Sequence, residues 1–159
     1  KGYFPAVEKG LQDTLEHGPI AGFPVIGVRA VLYDGSYHPV DSNEISFKIA
    51  AALAFKAATP LIKPTILEPV MEVVVTVKDE YVGDVMGDIP QRRGNVMGME
   101  PAGNGKTAIT AHIPEAEIID YKIDLSSLTQ GNGKFTREFY GYEEVPVYLQ
   151  EKIIKEINF

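Results

Sequence analysis

Two short strings carry the residue types of phosphate-binding loops: Gly103-Asn104-Gly105-Lys106-Thr107 and Gly131-Asn132-Gly133-Lys134-Phe135. A phosphate cradle of the first kind needs another glycine five residues before the second one, and Glu100 stands there. A carboxylate at that point repels phosphate, and the string joins two strand-like runs instead of opening a helix. Both strings are read as tight turns needing positive φ. Carboxylates also pair along the chain, as in Asp79-Glu80, Asp84 with Asp88, and Glu143-Glu144. Asp84 and Asp88 share a helix face at a spacing suited to acid–base chemistry. No apolar surround accompanies them, so a solvated face is expected. Of the three histidines, His17 falls at a helix end and His112 in a strand with no partner motif. His38 lies in Gly35-Ser36-Tyr37-His38-Pro39, a polar-aromatic loop between a buried strand and a capped helix, which is a common design for a contact site. Metal-ligand spacing is absent, as is any Gly-x-Ser-x-Gly string. The residues alone describe a non-catalytic interaction module, with no catalytic residue, cofactor site or metal site assigned.

The elements that must position these residues are set by 159 residues, 45% hydrophobic and 23% charged, an ordinary globular composition. Cysteine is absent, which excludes disulfides, thiolate metal sites and cysteine nucleophiles. Apolar runs are read as too short to span a bilayer, and Lys1-Gly2-Tyr3 opens no secretion signal. The formal net charge of −7 argues against a nonspecific nucleic-acid coat. It is unevenly placed. Lys1–Ile66 holds six basic and six acidic residues, whereas Leu67–Phe159 holds nine and sixteen. Pro60, Pro64 and Pro69 mark the break, where a helix cannot continue.

The first part is expected to hold a helix over Pro5–Glu16, a buried strand over Val25–Tyr33, and a second helix from Asp41 or Ser42. Asp41 and Glu44 would form a capping box there, and the helix would end before Pro60. One strand between two helices leaves its backbone unpaired. The second part reads β-α-β-β-α-β. A strand over Leu67–Val77 places Met71, Val73, Val75 and Val77 on one face. A helix capped by Asp79 carries the stripe Val82, Val85, Met86 and Ile89, and ends at Arg92-Arg93-Gly94. A hairpin of Asn95–Glu100 and Thr107–Ile113 follows, then a helix over Ala116–Leu128 and a strand over Lys134–Tyr142. This order is the ferredoxin-like arrangement. A last helix over Val147–Ile157 packs back onto one of the units.

The segments Tyr3–Gly18 (YFPAVEKGLQDTLEHG), Ala21–Val28 (AGFPVIGV) and Leu32–Asp41 (LYDGSYHPVD) resemble the latter part of domain IV of bacterial elongation factor G. Leu67–Gly98, containing EYVGDVMGDIPQRRG, with Leu128–Gly133 (LTQGNG) and Tyr142–Pro146 (YEEVP), resembles its domain V. The resemblance implies an α+β chain: a partial left-handed βαβ unit (ribosomal-protein S5 domain 2-like) over 1–63, then a ferredoxin-like βαββαβ domain with a C-terminal helix over 64–159. It implies a cytoplasmic ribosomal translocase of which this is the C-terminal portion, non-enzymatic by itself. The GTPase domain, with its GTP and Mg, domains II and III, and the first strands of domain IV would lie upstream, and those strands would pair with Val25–Tyr33.

The implied partners are the ribosome, through ribosomal RNA and the tRNA–mRNA duplex of the decoding site, and the upstream domains, with no membrane. Carried over by position, Gly35, Ser36, Tyr37, His38, Pro39 and Val40 form a domain IV tip loop whose histidine contacts that duplex. Arg92 and Arg93 match paired basic residues expected near ribosomal RNA or a neighbouring domain, with Gln130 a further contact. Some positions depart from the family pattern. Ser126, Ser127 and Asn132 stand where family members commonly carry arginine, and Ile118-Ile119-Asp120 replaces a Met-Phe-Gly-like stretch. A paralogue specialised for ribosome recycling or protection is therefore an alternative. A ferredoxin-like small-molecule regulatory module is another.

Overall fold

The computed structural model describes residues 1–158. Two compact units make up the chain: Lys1–Thr65 with the stretch from Pro146 onward, and Ile66–Val145.

In the first unit, α1 (Phe4–Glu16) and α2 (Glu44–Ile62) pack on each other. Pro5 sits in the first turn of α1, where its missing N–H costs nothing. Ala6 and Gly10 are the buried positions of α1, and Ala51 and Phe55 those of α2. Gly10 lets the two backbones touch, since a Cβ there would lie 2.5 Å from the Lys48 carbonyl oxygen and 2.7 Å from its Cα.

Three expectations for this unit need correction. No strand forms over Val25–Tyr33. Among the described residues no strand pairs with it, the Val25 N–H donating to the Leu15 carbonyl at 2.7 Å instead, and without a ladder the segment stays irregular with Ile26, Val31 and Tyr33 exposed. The α2 cap is Asn43, not Asp41 or Ser42. Its Oδ1 accepts from the Ser46 N–H at 2.8 Å, while Ser46 Oγ accepts from the Asn43 N–H at 3.0 Å. Pro60 does not end the helix. It falls in the last turn, where it forfeits one bond, and Lys63 at φ 49° closes the end.

By length and composition alone, α2 could cross a membrane. Against that, it carries Lys48 and Lys56, each costing roughly 2.5–3.5 kcal/mol at a bilayer centre.

The second unit is a four-stranded antiparallel sheet in the order β2-β3-β1-β4, the ferredoxin-like order. Its strands are β1 (Leu67–Lys78), β2 (Asn95–Gly103), β3 (Lys106–Pro114) and β4 (Lys134–Glu144), with α3 (Val82–Gln91) and α4 (Tyr121–Leu128) as crossovers. Val73 pairs with Ala111 on one side and Arg137 on the other, so β1 is central. Met71, Val73, Val75 and Val77 form the expected core face, meeting Val85 and Ile89 of α3, Tyr121 and Leu125 of α4, and Ile109, Ala111 and Ile113 of β3.

The β2–β3 connection is a two-residue turn, tighter than the expected six-residue loop. Asn104 (φ 54°) and Gly105 (φ 69°) form it, the two positive φ values of a hairpin that follows strand twist. Asp79 does not cap α3. A 3₁₀ turn over Asp79–Tyr81 intervenes, and the Asp79 carboxylate accepts from Thr107 Oγ1 at 2.8 Å. Likewise α4 begins only at Tyr121, after a 3₁₀ turn over Glu115–Glu117.

The closing helix α5 (Val147–Ile157) has the expected bounds and groups with the first unit, where Gln150 Nε2 donates to Thr65 Oγ1 at 2.9 Å.

Gly10→Ala improves helix propensity by about 1 kcal/mol, yet it forces α1 off the Lys48 backbone. The expected outcome is a net loss of about 1–3 kcal/mol, read as a lower denaturant midpoint for this variant.

Candidate nucleic-acid interface

The loop Gly35–Val40 is exposed throughout. Asp34 Oδ1 accepts from the Gly35 N–H at 2.8 Å and fixes its entry. At its exit the N–H groups of Asp41 and Ser42 donate to the His38 carbonyl at 3.3 and 3.0 Å. Ser42 Oγ accepts from the His38 N–H at 2.7 Å. Main-chain groups of His38 are thereby occupied while its imidazole faces solvent. An imidazole in that setting can donate to phosphate or a 2′-hydroxyl, or stack on a base.

The other expected contact residues lie in the second unit. Arg92 caps the C-terminal end of α3, and Arg93 follows in left-handed conformation at φ 56°. Neither guanidinium is free. Arg92 bonds Asp88 and Asp124 at 2.7 Å each and the Glu117 carbonyl at 3.0 Å, with its guanidinium 4.8 Å from the Tyr121 ring centroid. Burial works against its charge, but the hydrogen bonds to Asp88 and Asp124 outweigh it and raise its pKa. Arg93 forms a two-pronged pair with Glu68 at 2.5 and 2.9 Å and reaches Glu117 at 3.0 Å. The Glu68 bonds lead in raising its pKa, against burial. Asp88 is thus an ion-pair partner, unlike the solvated face expected of it, while Asp84 is exposed.

Gln130 is exposed at φ 50° just past α4. The Gly131 N–H donates to the Ser126 carbonyl at 2.8 Å, and the Asn132 side chain to the carbonyls of Thr129 and Gln130 at 3.1 and 3.3 Å. His112, expected without a partner, approaches Glu72 Oε2 at 3.3 Å and stacks on Tyr140 with centroids 3.9 Å apart.

Sequence reasoning missed Tyr3, Ser42 and Phe47, which surround the His38 loop, and the carboxylates that take up Arg92 and Arg93. The arginines' partners lie 24 to 32 positions away, apart from Asp88. Only the Asp88–Arg92 spacing of four was visible beforehand. No group of three or more His, Asp and Glu side chains suited to a metal occurs among the described residues.

The family model described as Elongation factor G C-terminus matches residues 65–153, and that for Elongation factor G, domain IV matches 1–61. The chain belongs to the elongation factor G family. An elongation factor G-like protein of Thermotoga maritima is 51% identical over 156 residues, covering 98% of this chain and 23% of the relative. Elongation factor G of Aquifex pyrophilus is also 51% identical over 156 residues, covering 98% of this chain and 22% of the relative. A solved protein from Thermus thermophilus superposes with a TM-score of 0.85 at 42% identity, covering 99% of this chain and 24% of that one. The chain therefore spans under a quarter of the length of these relatives of the elongation factor G family.

The Tyr121 hydroxyl, beneath Arg92, is buried with no hydrogen-bond partner. Burial first, and then the Asp88 charge, pushes its pKa up to about 12 from 10.0. Its folded pKa lies above the unfolded one, so stability falls as pH rises from 10 toward 12. Tyr121→Phe is expected to gain about 1 kcal/mol at neutral pH by removing an unsatisfied hydroxyl. The same variant is expected to flatten the alkaline loss in a denaturation series across that window.

Proposed function

We propose that this chain is the ribosome-engaging C-terminal portion of a translocase. Its His38 loop contacts the tRNA–mRNA duplex in the decoding site, while GTP is hydrolysed by another part of the full-length protein. The observation that carries this reading is the exposed imidazole of His38, held by its main chain at the head of a short loop in the part matched by domain IV. The partners on this reading are ribosomal RNA, the tRNA–mRNA duplex and the remaining domains of the same protein, in the cytoplasm. Gln130 is the second contact, because its side chain is exposed. Arg92 and Arg93 serve the surface from beneath, each placing its Nε, Nη1 and Nη2 on internal partners: Asp88, Asp124 and the Glu117 carbonyl for Arg92, Glu68 and the Glu117 carboxylate for Arg93.

A second reading, a paralogue specialised for recycling or protection, is favoured by Ser126 and Ser127. Both are exposed on α4 beside Lys122 and Ile123, where arginine side chains would be free to reach phosphate. Relatives named elongation factor G and elongation factor G-like are equally identical to this chain, so identity does not separate the two.

Single-turnover translocation by the full-length protein tests the first reading. His38→Ala is expected to slow it about tenfold, the scale of one lost hydrogen bond in a water-poor contact. An unchanged rate removes the decoding-site role. Ribosome binding without translocation by the unaltered protein selects the second reading.

A further inference from the structure

The start of the chain is tied to the His38 loop by three aromatic rings and a serine. The Tyr3 ring lies between two others. Its centroid is 5.9 Å from that of Tyr37 with 27° between planes, and 4.5 Å from that of Phe47 with 13° between planes. Its hydroxyl donates to the Ser42 carbonyl at 3.1 Å, across 39 positions of sequence. Ser42 is the same residue whose Oγ accepts the His38 N–H and whose own N–H returns a bond to the His38 carbonyl.

The connections have a consistent direction. Tyr3 immediately precedes α1, and Phe47 lies in the first turns of α2. The ring stack therefore fastens the loop at once to the beginnings of both helices, whose close approach at Gly10 fixes them to each other. Tyr37, the residue before His38, is held on one side by Tyr3 and is otherwise largely exposed. Offset stacking constrains ring planes as well as distance. The backbone carrying the imidazole is thereby restricted in orientation.

We propose that Tyr3 is the positioning residue of the His38 contact: stacked between Tyr37 and Phe47 and bonded to Ser42, it holds the loop so that the imidazole reaches nucleic acid in one orientation. This rests on the decoding-site reading above. Tyr3 acts through the loop and touches no RNA itself. The ring supplies the clamp, and the hydroxyl sets the height of Ser42 and hence of the His38 N–H.

Two measurements test the proposal. Amide exchange at His38, followed by NMR in the 159-residue chain, reads the positioning directly. Single-turnover translocation by the full-length protein on ribosomes carrying mRNA and tRNA reads its use. Tyr3→Ala and Ser42→Ala are expected to speed His38 amide exchange about fivefold, the scale of one protecting bond. Tyr3→Ala is expected to slow translocation, Tyr3→Phe to restore most of the rate by keeping the stack, and Tyr3→Ala to add no loss to His38→Ala.

Unchanged exchange in Tyr3→Ala overturns the proposal. So does an equal slowing by Tyr3→Ala whether or not His38 is present, which marks a merely structural role. Faster exchange with full translocation by His38→Ala supports the positioning and overturns the decoding-site reading instead. Where Tyr3→Ala does not fold, Tyr37→Ala removes only the outer ring and is subject to the same outcomes.

Discussion

Strand β1 is hydrogen-bonded along both edges, to β3 over Val70–Lys78 and to β4 over Leu67–Thr76. A backbone amide withdrawn from water must find a partner, and β1 finds one on each side. Its two-sided pairing lets Val73, Val75 and Val77 be fully buried without leaving polar groups unsatisfied. Everything else in the second unit is arranged around that strand. The crossover α3 and α4 cover its apolar face, and the Asn104-Gly105 turn returns β3 to it in register. The same constraint explains the contrary behaviour of Val25–Tyr33, which has comparable apolar content and no ladder. Its side chains stay exposed because β-propensity describes fit to a sheet already present and cannot substitute for one.

Electrostatics in the second unit is ordered by a similar accounting. This part of the chain supplies the whole net negative charge, yet its two adjacent arginines are consumed internally. Arg92 and Arg93 draw Asp88, Asp124, Glu68 and Glu117 together at the end of α3, and they join three segments far apart in sequence. Removing one member would strand partly buried opposite charges, so the group holds or fails as a unit. A phosphate approaching this region meets guanidinium groups whose charge is already balanced by carboxylates.

How much of this was legible in the sequence follows from the range of each interaction. Periodicity recovered α1, β1, α5 and the core stripe of α3, where the buried face repeats within a few residues. The Gly-Asn-Gly-Lys string was legible as a turn because the demand for positive φ is local. Element ends were less so. Asp41, Ser42 and Asn43 are all competent helix caps, and which one serves depends on Ser46 closing the box. Pro60 signals a stop in the sequence, but in a final turn its missing N–H forfeits a single bond. The distant partners of Arg92 and Arg93, and the contacts of Tyr3 that clamp the His38 loop, join residues 24 to 44 positions apart. No window of sequence contains both ends.

The candidate site combines both kinds of information. A histidine in a short exposed loop is legible as a contact, but its competence depends on how little it must be ordered on binding. Fixing a flexible residue costs about 1–2 kcal/mol of backbone entropy, which an isolated six-residue loop would lose at the moment of contact. Here part of that loss falls during folding, through Tyr3, Ser42 and Phe47. The anchoring of the loop thus traces back to helix packing at Gly10 and Lys48. In this unit, the packed helix pair is joined to the exposed loop by three stacked rings.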